Sequence, residues 1–252
     1  PARLVSDYPV EISPPELARY RTGNTGIDYA STYDSGRPGP HILVTALVHG
    51  NELCGAIVLD RLLRGGVRSS RGRLSLVFCN VAAFVRFDPG NPSASRYVDE
   101  DFNRLWSPEV LDGPRHSSEL ARARALRPLV DSADFLLDIH SMQHESSPLM
   151  LAGGLAKGRD FARAIGYPEL VVCDEGHAAG RRMRDYGGFG DPASPKNALL
   201  VECGQHWQRS SVDVADRTLR RFLDRLGMVT ADRGATDAEP PPQRVIEVTH
   251  AI

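Results

Sequence analysis

The chain has 252 residues, 41% of them hydrophobic and 25% charged, and its 30 basic and 32 acidic side chains give a formal net charge of -2. This composition excludes disordered, collagen-like and coiled-coil chains, and the near-neutral balance offers no electrostatic footprint for nucleic acid or a membrane surface. No apolar run approaches the roughly 20 residues of a membrane span, and no signal-peptide pattern opens the chain.

Residues 1–40 are punctuated by Pro and Gly, including Pro9, Pro14, Pro15, Gly23, Gly26 and Gly36. They read as short strands and turns, with one helical turn near 16–19. Residues 41–48 form an apolar run without alternation, the pattern of a strand covered on both faces. In 52–64, Leu53, Ile57, Val58, Leu62 and Leu63 make one helical stripe, which Gly65 and Gly66 stop. A second strand is expected over 74–81, then a long loop over 86–115 and a helix over 118–130. Strands follow at 135–139 and 149–151, a helix at 155–165, a strand at 170–173 and a loop at 176–196. A strand at 198–203 and an Arg-rich amphipathic helix at 212–226 complete one α/β domain of residues 1–230. Residues 231–243, with Pro240, Pro241 and Pro242, have linker composition, and 244–252 reads as a strand that either docks on the sheet edge or begins a further β domain. The four cysteines, Cys54, Cys79, Cys173 and Cys203, are widely spaced in or beside apolar runs, so they read as small hydrophobes in a reducing compartment, the cytoplasm.

Chemistry-bearing residues cluster where apolar runs end. His49 and Glu52 flank the turn between the first buried strand and its helix, three residues apart, so both side chains can face one point. Imidazole and carboxylate suit zinc, although Glu52 equally suits a helix N-terminus. Asp138 and His140 are two apart on a strand and share a face, so His140 can be a third ligand and Asp138 can orient an imidazole from behind. Glu202 sits within or at the end of another buried strand, where a carboxylate is costly unless paired or employed, for example as a general base beside a zinc-bound water. Arg96, Asn103 and Arg104 lie in the long loop; they supply guanidinium and amide groups that can hold carboxylates and oxyanions, or simply decorate a mixed-charge surface.

The four stretches together (His-Gly-Asn-Glu at 49–52, Arg-Tyr-Val-Asp-x-Asp-x-Asn-Arg at 96–104, Asp-Ile-His at 138–140 and Glu-x-Gly at 202–204) resemble the succinylglutamate desuccinylase/aspartoacylase family over residues 41–226. The resemblance implies a zinc carboxypeptidase-like, three-layer αβα fold around a mixed, largely parallel sheet. It implies one zinc ion per chain on His49, Glu52 and His140. Glu202 would be the base that activates zinc-bound water, then the proton donor to the leaving amine. Arg96 would polarise the scissile carbonyl, while Asn103 and Arg104 would hold the substrate carboxylate. The implied activity is hydrolysis of the amide bond of a small N-acyl amino acid, with a metallocarboxypeptidase acting on peptides, or an inactive metal- or ligand-binding module, as alternatives. A homo-oligomer is compatible with this reading. Arg181, Arg182 and Arg184 read as a solvated loop more readily than as substrate contacts, and Tyr186 beside them takes no definite role. His144 has a minor claim on the pocket. His41, His116, His177, His206 and His250 carry no ligand spacing, and Trp106 and Trp207 read as wall or core.

Overall fold

The Pro- and Gly-rich opening supplies a 3-10 turn at Ala18–Tyr20 and the strand β1 (Ala30–Asp34), and the apolar run that follows becomes β2 (His41–Ala46), buried along its whole length. Ile42, Val44 and Ala46 enter one apolar cluster, while Leu43 enters a second. A strand with helices on both sides needs no polar alternation, which explains the unbroken run. The computed structural model describes residues 8–67, 69–228 and 242–249.

After β2 come α1 (Leu53–Arg64), β3 (Arg73–Phe78) and the short helices α2 (Val81–Phe84) and α3 (Pro108–Leu111). Then follow α4 (Ser118–Ser132), β4 (Phe135–Met142), β5 (Leu149–Leu151), α5 (Ala156–Ile165), β6 (Leu170–Cys173), β7 (Asn197–Gln205), α6 (Arg209–Arg225) and β8 (Arg244–Glu247). The strand expected over 74–81 stops at Phe78, because Asn80 caps α2: its Oδ1 accepts from the Ala83 amide at 3.3 Å. The strand expected over 135–139 runs further, so His140 lies inside β4; β7 also extends beyond the expected 198–203, with Glu202 inside it as expected.

The strands form one mixed sheet in the order β1-β3-β2-β4-β7-β5-β6-β8. Five of its seven pairings are parallel; β1 with β3 and β5 with β7 are antiparallel. Helices α1, α5 and α6 pack together on one face and α4 covers the other, which makes three layers. Each fully buried Leu, Ile or Phe in these clusters stabilises the fold by about 1.5–3 kcal/mol. The last strand, read over 244–252, pairs from Arg244 to Glu247 in parallel with β6 at the sheet edge. Residues 231–241 of the linker lie outside the described residues, as do 250–252 with His250. All four cysteines are buried and free. Among the described residues no helix is long and apolar enough to cross a membrane.

Candidate functional site

The parallel strands β2, β4 and β7 lie side by side and point their carboxyl ends the same way. After β2 the chain turns through Leu47, whose φ of 58° is unusual for a branched side chain. The turn is held by its neighbours: the Asn80 amide donates to the Leu47 carbonyl at 2.7 Å, and the Gly50 amide donates to the Arg96 carbonyl at 3.0 Å. A Cβ on Gly50 would stand 2.4 Å from both the Phe84 nitrogen and the Ser95 oxygen, so no larger residue fits between His49 and Asn51. This close approach fixes the side chains of His49 and Glu52, both buried.

On β4, Asp138 and His140 share the face that packs towards α4, and His140 lies in register with Glu202 on β7. Just beyond, β7 spends one residue more than β4: His140 pairs with Glu202, but Met142 pairs with Gln205. This β-bulge contains Gly204 at φ 95°, a conformation that glycine adopts without strain.

The Glu52 carboxylate lies between the two imidazoles, with Oε1 2.7 Å from His49 Nδ1 and Oε2 2.9 Å from His140 Nδ1. The far nitrogen of each ring meets another carboxylate, His49 Nε2 with Asp101 at 2.9 Å and His140 Nε2 with Asp138 at 2.8 Å. Thr45 in turn donates to Asp138 at 2.6 Å. One ligand atom from each of His49, Glu52 and His140 falls within 4.8 Å of the others. Two imidazoles and a carboxylate, each ring braced from behind by an acid, form the donor set of a divalent transition metal with a position left open. The residues present therefore fit such an ion.

In the metal-free cluster the buried charges hold one another. Burial works against the charge on Glu52, but the two imidazoles hold its carboxyl well below the usual range. Burial likewise opposes protonation of His140, yet Asp138 and Glu52 raise its pKa well above that of a free imidazole. Glu202 goes the other way: burial, with Glu52 nearby, pushes its carboxyl well above the usual range, against the pull of His140. Its Oε2 is buried without a hydrogen-bond partner.

The 86–115 stretch is a loop with two 3-10 turns, Pro92–Ser95 and Phe102–Arg104, before α3. It brings Arg96 Nη2 to 3.0 Å from both His49 Nε2 and Asp101 Oδ2, and Arg96 Nη1 to 3.5 Å from Glu52. Asn103 accepts from the Met183 amide at 2.9 Å. The loop is held by Glu119 of α4, a fully buried carboxylate that accepts from the amides of Val98 (2.6 Å), Asp99 (3.0 Å) and Glu100 (3.3 Å) and from Asn80 Nδ2 (2.9 Å).

A cavity of about 360 Å³ opens over this arrangement. Its lining brings together His49, Glu52, His140, Glu202, Arg96, Asn103 and Arg104, with Asp138 buried behind His140. The arginine run differs from a solvated loop. Arg182 lines the cavity with Nη1 2.9 Å from both oxygens of Asp174, and Arg184 is buried against the Ala152 carbonyl at 2.8 Å. Arg181 is exposed, with its backbone bridged to Leu105. Tyr186 is buried in the core beside Trp106, its hydroxyl accepting from Arg127 at 2.9 Å. His144 lines the cavity, as does His206, whose Nδ1 is 2.8 Å from Ser141 Oγ. Nothing in the spacing marks His206; the Gly204 bulge alone carries the chain to it. Asp101 stands inside the 96–104 motif, and its signal was the pairing of an acid with two arginines. Trp106 and Trp207 belong to the buried core.

A family model described as the succinylglutamate desuccinylase/aspartoacylase catalytic domain matches residues 38–226. The chain is 38% identical over 73 residues to a succinylglutamate desuccinylase of Ectopseudomonas mendocina, covering 27% of this chain and 19% of that protein. It is 25% identical over 174 residues to an N-acyl-aromatic-L-amino acid amidohydrolase (carboxylate-forming) of Xenopus laevis, covering 66% and 48% respectively. The chain thus spans less than half the length of these curated relatives. A solved succinylglutamate desuccinylase from Silicibacter sp. TM1040 shares the fold at a TM-score of 0.66 and 20% identity, over 86% of this chain and 64% of that one.

Proposed function

The chain belongs to the succinylglutamate desuccinylase/aspartoacylase family, and on that premise we propose that it is a zinc-dependent amidohydrolase that cleaves N-acyl amino acids. The observation that carries this reading is the convergence of His49, Glu52 and His140 within 4.8 Å, with Glu202 in register beside His140. Zinc held by these three residues supplies Lewis acidity, which polarises a carbonyl and acidifies water.

The chain's own side chains do the rest. Glu202, with its pKa raised by burial, is suited to take a proton from the attacking water and to return it to the leaving nitrogen. Arg96 sits at the edge of the ligand set, where its guanidinium can stabilise the oxyanion that develops on the carbonyl oxygen. Arg104 and Asn103 hold the carboxylate of the amino acid. Asp138 and Asp101 orient the two imidazoles and keep the nitrogens that face Glu52 available. Four buried free cysteines suit a reducing, cytoplasmic setting.

The test is metal analysis of the purified protein with and without a chelator, paired with turnover of an N-acyl amino acid panel and of peptides. The expected result is one zinc per chain and release of free amino acid that stops on chelation and resumes on adding zinc. Release of C-terminal residues from peptides without turnover of any N-acyl amino acid would overturn the reading in favour of a carboxypeptidase.

A further inference from the structure

Nearly every charge that lines the cavity is matched by another. Arg96 lies 3.0 Å from Asp101 and 3.5 Å from Glu52. Arg182 meets both oxygens of Asp174. Arg104, half-buried on the same lining, forms no ion pair among the described residues, and its Nη1 donates to the Asn103 carbonyl at 2.8 Å. Asn103 has committed its Oδ1 to the Met183 amide, which leaves the NH2 end of its side chain for a ligand. Among the described residues the cavity therefore offers one guanidinium without an ion-pair partner, with one amide donor beside it, a seat for one carboxylate.

The rest of the lining is of a different character. Ser141, Met142, Leu151, Leu200 and His206 contribute apolar or neutral polar surface. Burial pushes the His206 imidazole down to about 4, so it is uncharged at neutral pH. The neighbouring exposed segment 143–147 carries one formal charge, that of Glu145, which is negative. A second carboxylate on the substrate would find no further unpaired guanidinium among the described residues of this lining and would share the cavity with Glu202.

We infer that the site selects monoanionic N-acyl amino acids, in which the α-carboxylate is held by Arg104 and Asn103 and both the acyl group and the amino-acid side chain are uncharged. This rests on the amidohydrolase reading and narrows it. Asp174 acts as a specificity determinant at one remove: by neutralising Arg182 it removes the cation that a second carboxylate would need.

The experiment compares kcat/KM, with zinc supplied, for N-acetylleucine and N-acetylphenylalanine against N-acetylaspartate and N-succinylglutamate. The monoanionic pair is expected to lead by about tenfold or more, the scale set by leaving a polar group of a site or ligand unmatched. Asp174→Asn, which frees Arg182, is expected to shift the ratio towards the two substrates with more than one carboxylate by about tenfold. Calorimetric binding of the same compounds to the metal-free protein is expected to rank them in the same order. If the variant melts early, the wild-type ranking and the binding order decide. A tenfold lead for N-succinylglutamate would overturn the inference and leave the amidohydrolase standing. Absence of turnover for all four, with release of residues from peptides instead, would overturn both.

Discussion

The ligand-bearing strands and the arginine-bearing loop solve one problem by different means. His140 and Glu202 are placed by the parallel ladder between β4 and β7, and His49 by the turn that ends β2. Their positions follow from backbone hydrogen bonds that any sheet makes. Arg96, Asp101, Asn103 and Arg104 have no such frame. Their loop hangs from the Glu119 carboxylate, the Asn103 bond to the Met183 amide and the Gly50 bond to the Arg96 carbonyl. The sheet fixes where the chemistry happens, and a buried acid on a distant helix fixes what reaches it.

If that division holds, substitutions in the two regions should fail in different ways. The largest effect is expected on the sheet: Glu202→Gln should lower kcat by about three decades, the range of a lost general base. Its melting temperature should hold or rise, because an unpaired buried carboxyl is replaced by a neutral amide. Arg96→Ala should follow at about two to three decades in turnover, or 2.7–4 kcal/mol of transition-state stabilisation. Full activity in this variant would remove Arg96 from the mechanism. Glu119→Gln should have the smallest effect on activity, about tenfold in kcat/KM, with a loss of about 1–3 kcal/mol of stability in chemical denaturation, because buried amides lose a charged acceptor. A stability loss with unchanged kinetics would mean that the loop is positioned without Glu119.

Much of this arrangement was legible in the residues. Strands covered on both faces write themselves as unbroken apolar runs, and a His or Glu inside or just past such a run stands out. The two-sided core follows from the same pattern, whereas the order of the strands in the sheet is set only by the tertiary pairing. The overrun of the second strand to residue 81 had a local remedy, since Asn80 is a helix cap in type and place. Other parts had no local signal. Arg182 looks solvated until Asp174, eight residues earlier and beyond a strand end, is brought against it. Glu119 looks like an ordinary first-turn acid on α4, and its three amide partners lie about twenty residues upstream. Contacts of this kind exist only after the sheet has formed, so no spacing along the chain could announce them.

The extra residue at Gly204 has an implication for how such a pocket can diversify. Upstream of it, the pairing that sets Glu202 beside His140 is locked by the ladder. Downstream, Gln205 and His206 are released from that phase. Adding or deleting one residue there would swing the downstream side chains to the opposite face while the reacting centre stays put. The molecule thus carries a natural splice point, where selectivity could be rewritten by evolution or by design without disturbing the catalytic geometry next to it.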